Sequence, residues 1–142
     1  DTLAQTLQAT AVTQPQQLTQ QAQLYIIAVS DAAIPLVLQQ YTFPSNAILV
    51  HTAGSVSIDV LGKCSTHYGV LYPLQSLRKS MQQLPKVPLL VHGCNNNVTE
   101  QLLQFANSIS SITGIMNDEQ RKQLHIAAVV VSNFTNHLYA IA

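Results

Sequence analysis

The sequence predicts an α/β fold built on a mostly parallel sheet with flanking helices, and three observations carry that prediction. Leu24-Tyr25-Ile26-Ile27-Ala28-Val29 is an unbroken apolar, β-rich run stopped by Ser30-Asp31, the pattern of a strand buried on both faces. Ala47-Ile48-Leu49-Val50 repeats it, and the sixteen residues between Ser30 and Ala47 are the span that a strand, helix and parallel strand crossover requires. Between them Ile34, Val37 and Leu38 share one helical face over residues 32–41, with Asp31 as N-cap candidate and Phe43-Pro44-Ser45-Asn46 as the stop.

The other elements follow in chain order. Residues 1–9 read as a helix with Leu3, Ala4 and Leu7 on one side, and residues 10–13 as a short strand. The glutamine-rich residues 14–23, with Pro15 near their start and Leu18 and Ala22 four apart, read as a short amphipathic helix. Residues 56–63 look helical, and Gly69-Val70-Leu71-Tyr72 is a third strand stopped by Pro73. Val87-Pro88-Leu89-Leu90-Val91-His92 is a strand whose proline favours a sheet edge. Asn95-Asn96-Asn97 then breaks the chain, and Leu102, Leu103, Phe105 and Ala106 mark an amphipathic helix over residues 98–109. The last helix starts at Asn117, with Gln120 three positions on as in a capping box, and no Gly or Pro interrupts residues 118–142. About 25 residues at 1.5 Å each make a rod about 37 Å long, so its far half expects a partner beyond the sheet.

Composition narrows the function classes. A chain of 142 residues holds one domain's core, and its six basic side chains cancel its six acidic ones. Charged residues are only 8%, against roughly 25% in an average protein. That balance excludes a nucleic-acid partner, which needs clustered Lys and Arg to displace counterions, and it favours self-association. No apolar run approaches the roughly 18 residues of a membrane span, and the first residues lack the basic start and apolar core of an export signal. Two cysteines, Cys64 and Cys94, make no disulfide framework. A soluble, cytoplasmic protein with no membrane contact is expected.

Two constellations can carry chemistry. Ser30 and Asp31 follow the first buried strand, and His51, Thr52 and Ser55 follow the second; in open α/β sheets ligands bind at that carboxyl edge. The N–H groups of Ala53, Gly54 and Ser55 can receive an anion or polar ring, and Gly54 admits a close approach to the main chain. On the last helix Arg121, His125, Ser132 and Asn136 fall within a stripe about 60° wide at 100° per residue. Burying such groups unpaired costs about 1–3 kcal/mol each, so the stripe faces a polar cavity or, more plainly, water. Asn133 lies off the stripe beside Phe134. His67, His92, Cys64 and Cys94 lack metal-ligand spacing, so no metal is expected. No pair of catalytic carboxylates and no glycine-rich phosphate loop is present in the sequence.

His51-Thr52-Ala53-Gly54-Ser55, Tyr72-Pro73-Leu74-Gln75, Leu124-His125-Ile126-Ala127-Ala128 and Ser132-Asn133-Phe134-Thr135-Asn136-His137-Leu138-Tyr139 occur in this order. Together they resemble the uncharacterised Rossmann-like NAD(P)-binding oxidoreductases that carry an all-helical C-terminal domain. More distantly the layout is similar to prephenate dehydrogenases, pyrroline-5-carboxylate reductases and 6-phosphogluconate dehydrogenases. The resemblance implies a partial Rossmann-type sheet, residues 1–116, running into a long helix that starts an all-α domain, residues 117–142. Members of that family begin with a strand, a glycine-rich phosphate loop and a second strand, none of which is in this sequence. The chain is therefore expected to be the middle of a longer protein.

The same resemblance implies a cofactor, NADP or NAD, with Val29, Ser30 and Asp31 lining its crevice and His51, Thr52, Ala53 and Gly54 meeting the nicotinamide. It makes His125, whose imidazole class titrates near neutrality, the first candidate for proton donor or substrate anchor, with Asn136 on the substrate and Asn133 in support. Tyr72 stands where prephenate dehydrogenases carry a His-Pro pair, so their substrate does not transfer. The expected function is hydride transfer between a nicotinamide cofactor and a small-molecule substrate, in a homodimer formed through the helical C-terminal region. A non-catalytic dinucleotide-binding or scaffold protein on the same fold is the alternative. A flavodoxin-like signalling module is a weaker third, since Asp31 alone supplies no acidic cluster.

Overall fold

The computed structural model describes residues 2–75, 86–131 and 141. β1 (Leu24–Ile27), β2 (Ile48–His51), β3 (His67–Pro73), β4 (Leu89–Gly93) and β5 (Thr113–Ile115) form one sheet in sequence order. β1, β2 and β3 run parallel, with Leu24 opposite Ile48 and Ile48 opposite His67. The two apolar runs on which the prediction rests therefore send their carboxyl ends to one edge. β4 reverses against β3, pairing Pro73 with Leu89 and Gly69 with Gly93, and β5 runs parallel to β4. The helices are α1 (Thr2–Thr6), α2 (Ile34–Gln40), α3 (Asn96–Ile109) and α4 (Asp118–Val129). The result is the mostly parallel, helix-flanked Rossmann-like sheet that was expected.

Alternation along β2 builds the core on both faces. Leu49 turns to one face, where it joins Tyr25, Ile27, Ile34, Ala47 and Leu61 beneath α2; Val50 turns to the other, against Leu71, Val91 and α3. On α3 Val98, Leu102 and Ala106 recur every four residues and are all buried. Removing a side chain such as Leu102 from water contributes about 1.5–3 kcal/mol. Asn95 starts α3, its Oδ1 accepting the Val98 N–H at 3.0 Å. Ile58, Val70 and Tyr72 form a third, smaller cluster.

Several local expectations give way to tertiary context. Residues 10–13 form no strand, and the glutamine-rich stretch contributes only a 3-10 turn, Pro15–Gln17. The helix expected over residues 56–63 shrinks to a 3-10 turn, Ile58–Leu61, that begins with Ser57 accepting the Asp59 N–H. Before α2 the chain makes a 3-10 turn, Asp31–Ala33, with Ser30 at the N-cap position but making no side-chain cap bond, so Asp31 is not an N-cap and its carboxylate is free to bond elsewhere. β1 is buried on one face only: it is the outermost strand, and Ile26 is 45% exposed. β4 lies inside the sheet rather than at its edge, because Pro88 precedes the strand and its carbonyl accepts the Leu74 N–H at 2.9 Å. β5 was not anticipated, its three residues being too few to show a period.

α4 begins as the sequence predicts. Asn117 Oδ1 accepts the Gln120 N–H at 2.9 Å and Gln120 Oε1 accepts the Asn117 N–H at 3.1 Å. The described helical path continues through Val131, and residues 132–140 lie outside the described residues. Among the described residues no helix is long and apolar enough to cross a membrane.

Candidate active site

The carboxyl ends of the three parallel strands and one side of α4 enclose a cleft of about 520 Å³. Asp31 comes from the turn after β1, Thr52, Ala53 and Gly54 from the end of β2, and Tyr72, Pro73, Leu74 and Gln75 from the end of β3. α4 closes it with His125, Ala128 and Val129. Parallel strands put polar ends on a common edge, and the crossover lengths in the sequence dictate that arrangement.

At the centre of the cleft Tyr72 and His125 meet. The phenol oxygen stands 3.0 Å from His125 Nδ1, and the rings cross edge to face at 71° with centroids 6.0 Å apart. Tyr72 is 8% exposed, fixed by Ile58 and Val70 behind it, while His125 is half-buried. Burial raises the Tyr72 pKa and the Asp31 carboxylate adds to it, against the opposing charge of Arg121. The phenol therefore holds its proton throughout the neutral range. Gly54 is what lets the pair form over the β2 terminus, for a Cβ there would lie 2.7 Å from His125 Cγ and 2.9 Å from Tyr72 Cζ.

One turn before His125, α4 is anchored from below. Arg121 is 1% exposed; its Nη1 donates to Asp118 Oδ1 at 2.7 Å and its Nη2 donates to the Val56 carbonyl. Asp118 Oδ2 accepts the Ile58 N–H at 3.0 Å. Burial alone would raise the Asp118 pKa, but its hydrogen bonds from Ser57, Arg121 and Ile58 and the adjacent guanidinium charge outweigh that and hold the carboxyl below its ordinary value. These bonds tie the first turn of α4 to the segment after β2, which delivers His125 above Gly54.

The structure brings together Asp31, Thr52, Ala53, Gly54 and His125 among the residues singled out in the sequence. It does not bring His51, Val29 or Ser30 to that cleft. His51 is 0% exposed and points into the interior, its Nδ1 accepting the Ala53 N–H at 3.2 Å while its buried Nε2 finds no hydrogen-bond partner. That bond also takes the Ala53 N–H away from any anion. Burial and then the Arg121 charge lower the His51 pKa, against smaller opposing pulls from the Ser57 backbone, Asp118 and Asp31. Val29 is 41% exposed beside a separate apolar groove along β1, and Ser30 faces solvent at the turn. Asp31 instead accepts a 2.5 Å hydrogen bond from Ser55 Oγ at the cleft wall.

The polar stripe on the last helix divides. His125 faces the cleft, but Arg121 is sealed inside its anchor, and Ser132, Asn133 and Asn136 lie outside the described residues. Tyr72 is the residue that sequence reasoning passed over as a site residue. Its signal was there: a hydroxyl-bearing aromatic at the last position before Pro73, on the third strand of the same parallel set. Among the described residues no three His, Cys, Asp or Glu side chains cluster to hold a metal ion, and Cys64 and Cys94 are free, half-buried thiols.

Fold and cleft together define a Rossmann-like α/β protein with its site at the carboxyl edge of the parallel strands. The chain is similar to putative NADP oxidoreductase BF3122 from Bacteroides fragilis, whose crystal structure it matches over 99% of its own length and 56% of that chain, with 35% identity and a TM-score of 0.90. It also matches the crystal structure of protein TM1727 from Thermotoga maritima over 96% of its length and 53% of that chain, at 24% identity and a TM-score of 0.72, a likeness of fold alone. The chain thus spans about half the length of either. Residues 87–142, from β4 onward, match the family described as Domain of unknown function (DUF2520). No curated protein matches the sequence.

Proposed function

We propose that the protein is an NAD(P)-dependent oxidoreductase that transfers a hydride between a nicotinamide cofactor and a small-molecule substrate. The observation that carries the reading is the Tyr72–His125 pair set 3.0 Å apart over Gly54, in a cleft at the ends of parallel strands. The name of the Bacteroides fragilis relative points the same way.

The residues present fit the nicotinamide end of such a cofactor. A cleft of about 520 Å³ lies within the roughly 300–1,000 Å³ of small-molecule sites, and Ala128 and Val129 give it an apolar side. Thr52, Ala53 and Gly54 would hold the ring, and Asp31 with Ser55 would border it. When bound, a dihydronicotinamide supplies the hydride. His125 supplies the proton that completes reduction of a carbonyl or imine, and the apolar wall limits water at the reacting centre. Dimerisation through the helical C-terminal region belongs to the same proposal, with Ile126 at 55% and Val130 at 56% exposure available for it.

Titration of the full-length protein with NADH and with NADPH tests the reading. Saturable binding of one of them at micromolar concentration is expected, and His125→Gln should cut turnover by about 100-fold or more with little change in nucleotide affinity. A protein that binds neither nucleotide is not this enzyme. Turnover unchanged in His125→Gln removes that residue from the mechanism, and tight binding with no turnover of any carbonyl or imine substrate returns the protein to the non-catalytic dinucleotide-binding class.

A further inference from the structure

An imidazole that gives up a proton must do so from one particular nitrogen, and the other nitrogen decides which. Here Nδ1 is the atom within 3.0 Å of the Tyr72 phenol, which leaves Nε2 as the ring nitrogen available to the cleft. Tyr72 is the fixed member of the pair, 8% exposed on β3 and packed on Ile58 and Val70, whereas His125 rides on α4. Gly54 holds the two rings in register by presenting no side chain between them and β2.

We propose that Tyr72 is the positioning residue for His125: in the imidazolium form its phenol oxygen accepts the Nδ1–H, so the proton given up is the one on Nε2, facing the cleft, and the ring is left as the neutral Nδ1–H tautomer. The inference rests on the oxidoreductase reading for its purpose but not for its geometry. In the reductive direction the imidazolium is the donor: its Nε2–H bond breaks, an O–H or N–H bond forms on the substrate, and the ring becomes neutral. The electron pair of the broken bond stays on Nε2, and the Nδ1–H remains on the phenol. The hydride comes with the dihydronicotinamide, which is oxidised as the carbonyl or imine is reduced, so one hydride and one proton balance the product. Without the phenol, the neutral ring is free to take the other tautomer, in which Nδ1 carries no proton and the cleft meets a different donor and acceptor pattern.

The ionisable neighbours leave the phenol neutral, a state in which its oxygen can accept as well as donate, so the histidine tautomer decides the direction of the bond. The Arg121 guanidinium and the Asp31 carboxylate act on Tyr72 in opposite senses, and burial keeps the phenol protonated. His51 is engaged with the Ala53 N–H and does not compete for Tyr72.

Nitrogen-15 labelling of histidine in the full-length protein, with two-bond nitrogen–proton correlation spectra recorded without nucleotide, reads the tautomer directly. In the wild type, neutral His125 should carry its proton on Nδ1. In Tyr72→Phe, which keeps the ring and removes only the hydroxyl, the Nε2–H tautomer should gain the majority. The same variant should lose about 10- to 100-fold in kcat, with its pH profile shifted and its nucleotide affinity within about twofold of wild type. A wild-type spectrum with the neutral proton on Nε2 overturns the proposal even if the variant fails to fold, as does an unchanged tautomer in a folded Tyr72→Phe. Failure to bind any nicotinamide nucleotide overturns the oxidoreductase reading instead and leaves the tautomer result standing.

Discussion

Gly54 lies directly beneath His125, close enough that a Cβ on the glycine would stand 2.7 Å from the ring's Cγ. Carbon atoms do not tolerate that distance, and the next obstruction, Tyr72 Cζ at 2.9 Å, blocks escape on the other side. No glycine in the described residues has a positive φ, so the demand is for space and not for an unusual backbone. Gly54→Ala should therefore destabilise the protein by about 1–3 kcal/mol, as overpacking does, and should part the His125 and Tyr72 rings. Urea unfolding measures the first effect and turnover the second. A variant as stable and as active as wild type contradicts the close contact.

Arg121→Met keeps an unbranched apolar stem and removes the guanidinium. Breaking one side of a buried ion pair costs about 3–5 kcal/mol, reduced here because Asp118 remains 32% exposed; a loss of about 2–4 kcal/mol is expected. Asp118→Asn in the same chain should recover part of it, so that the double variant loses less than the sum of the two single losses. Additive losses in chemical denaturation would show that the two side chains do not act as a pair.

Stability should fall on mild acidification because of His51. Its folded pKa lies below the ordinary 6.5, so the unfolded chain binds the extra proton first. The contribution is complete above the unfolded value and is lost as pH drops from about 6.5 through the folded value. Asp118, with its pKa below the ordinary 3.8, adds a second loss only at lower pH, as its carboxylate is protonated. Unfolding free energies measured between about pH 7 and pH 5 should slope in wild type and flatten in His51→Gln. Equal slopes in the two proteins would assign the acid sensitivity elsewhere.

The capping box at the start of α4 supplies a fourth check. Asn117→Ala removes the acceptor of the Gln120 N–H and should cost about 0.5–2 kcal/mol, with the loss of hydrogen-exchange protection concentrated in the first turn of α4. Uniform loss of protection across the sheet would mean that the cap acts globally rather than locally.

Much of this architecture was legible because its signals are local. Residues 24–29 and 47–50 announce buried strands by composition alone, and the intervening length dictates that they run parallel. The cap of α4 was equally plain, since Asn117 bonds to an N–H three residues away; Asn95 makes the same bond at the start of α3 but reads in the sequence only as a break, being the first of three asparagines. The edge placement expected of β4 failed because strand limits depend on tertiary pairing: Pro88 stands one residue outside the ladder. Arg121 was read only as part of a stripe facing a polar cavity or water, because helical projection places a side chain on a face but cannot say that the neighbouring loop offers the Val56 carbonyl and Asp118 turns back to meet it. His51 and Tyr72 exchanged roles for a related reason. Both end parallel strands in polar-capable side chains, and only the packing of α4 reveals which of them reaches the cleft.

The reversal of β4 against β3 braces one wall of the cleft. The chain leaves β3 at the rim through Leu74 and re-enters at the same rim, where the Leu74 N–H and the Pro88 carbonyl close the gap at 2.9 Å. That bond staples the third and fourth strands together where the cleft opens, so the stretch of wall formed by Pro73 and Leu74 is braced by the ladder itself and gives Tyr72 a stiff footing opposite His125.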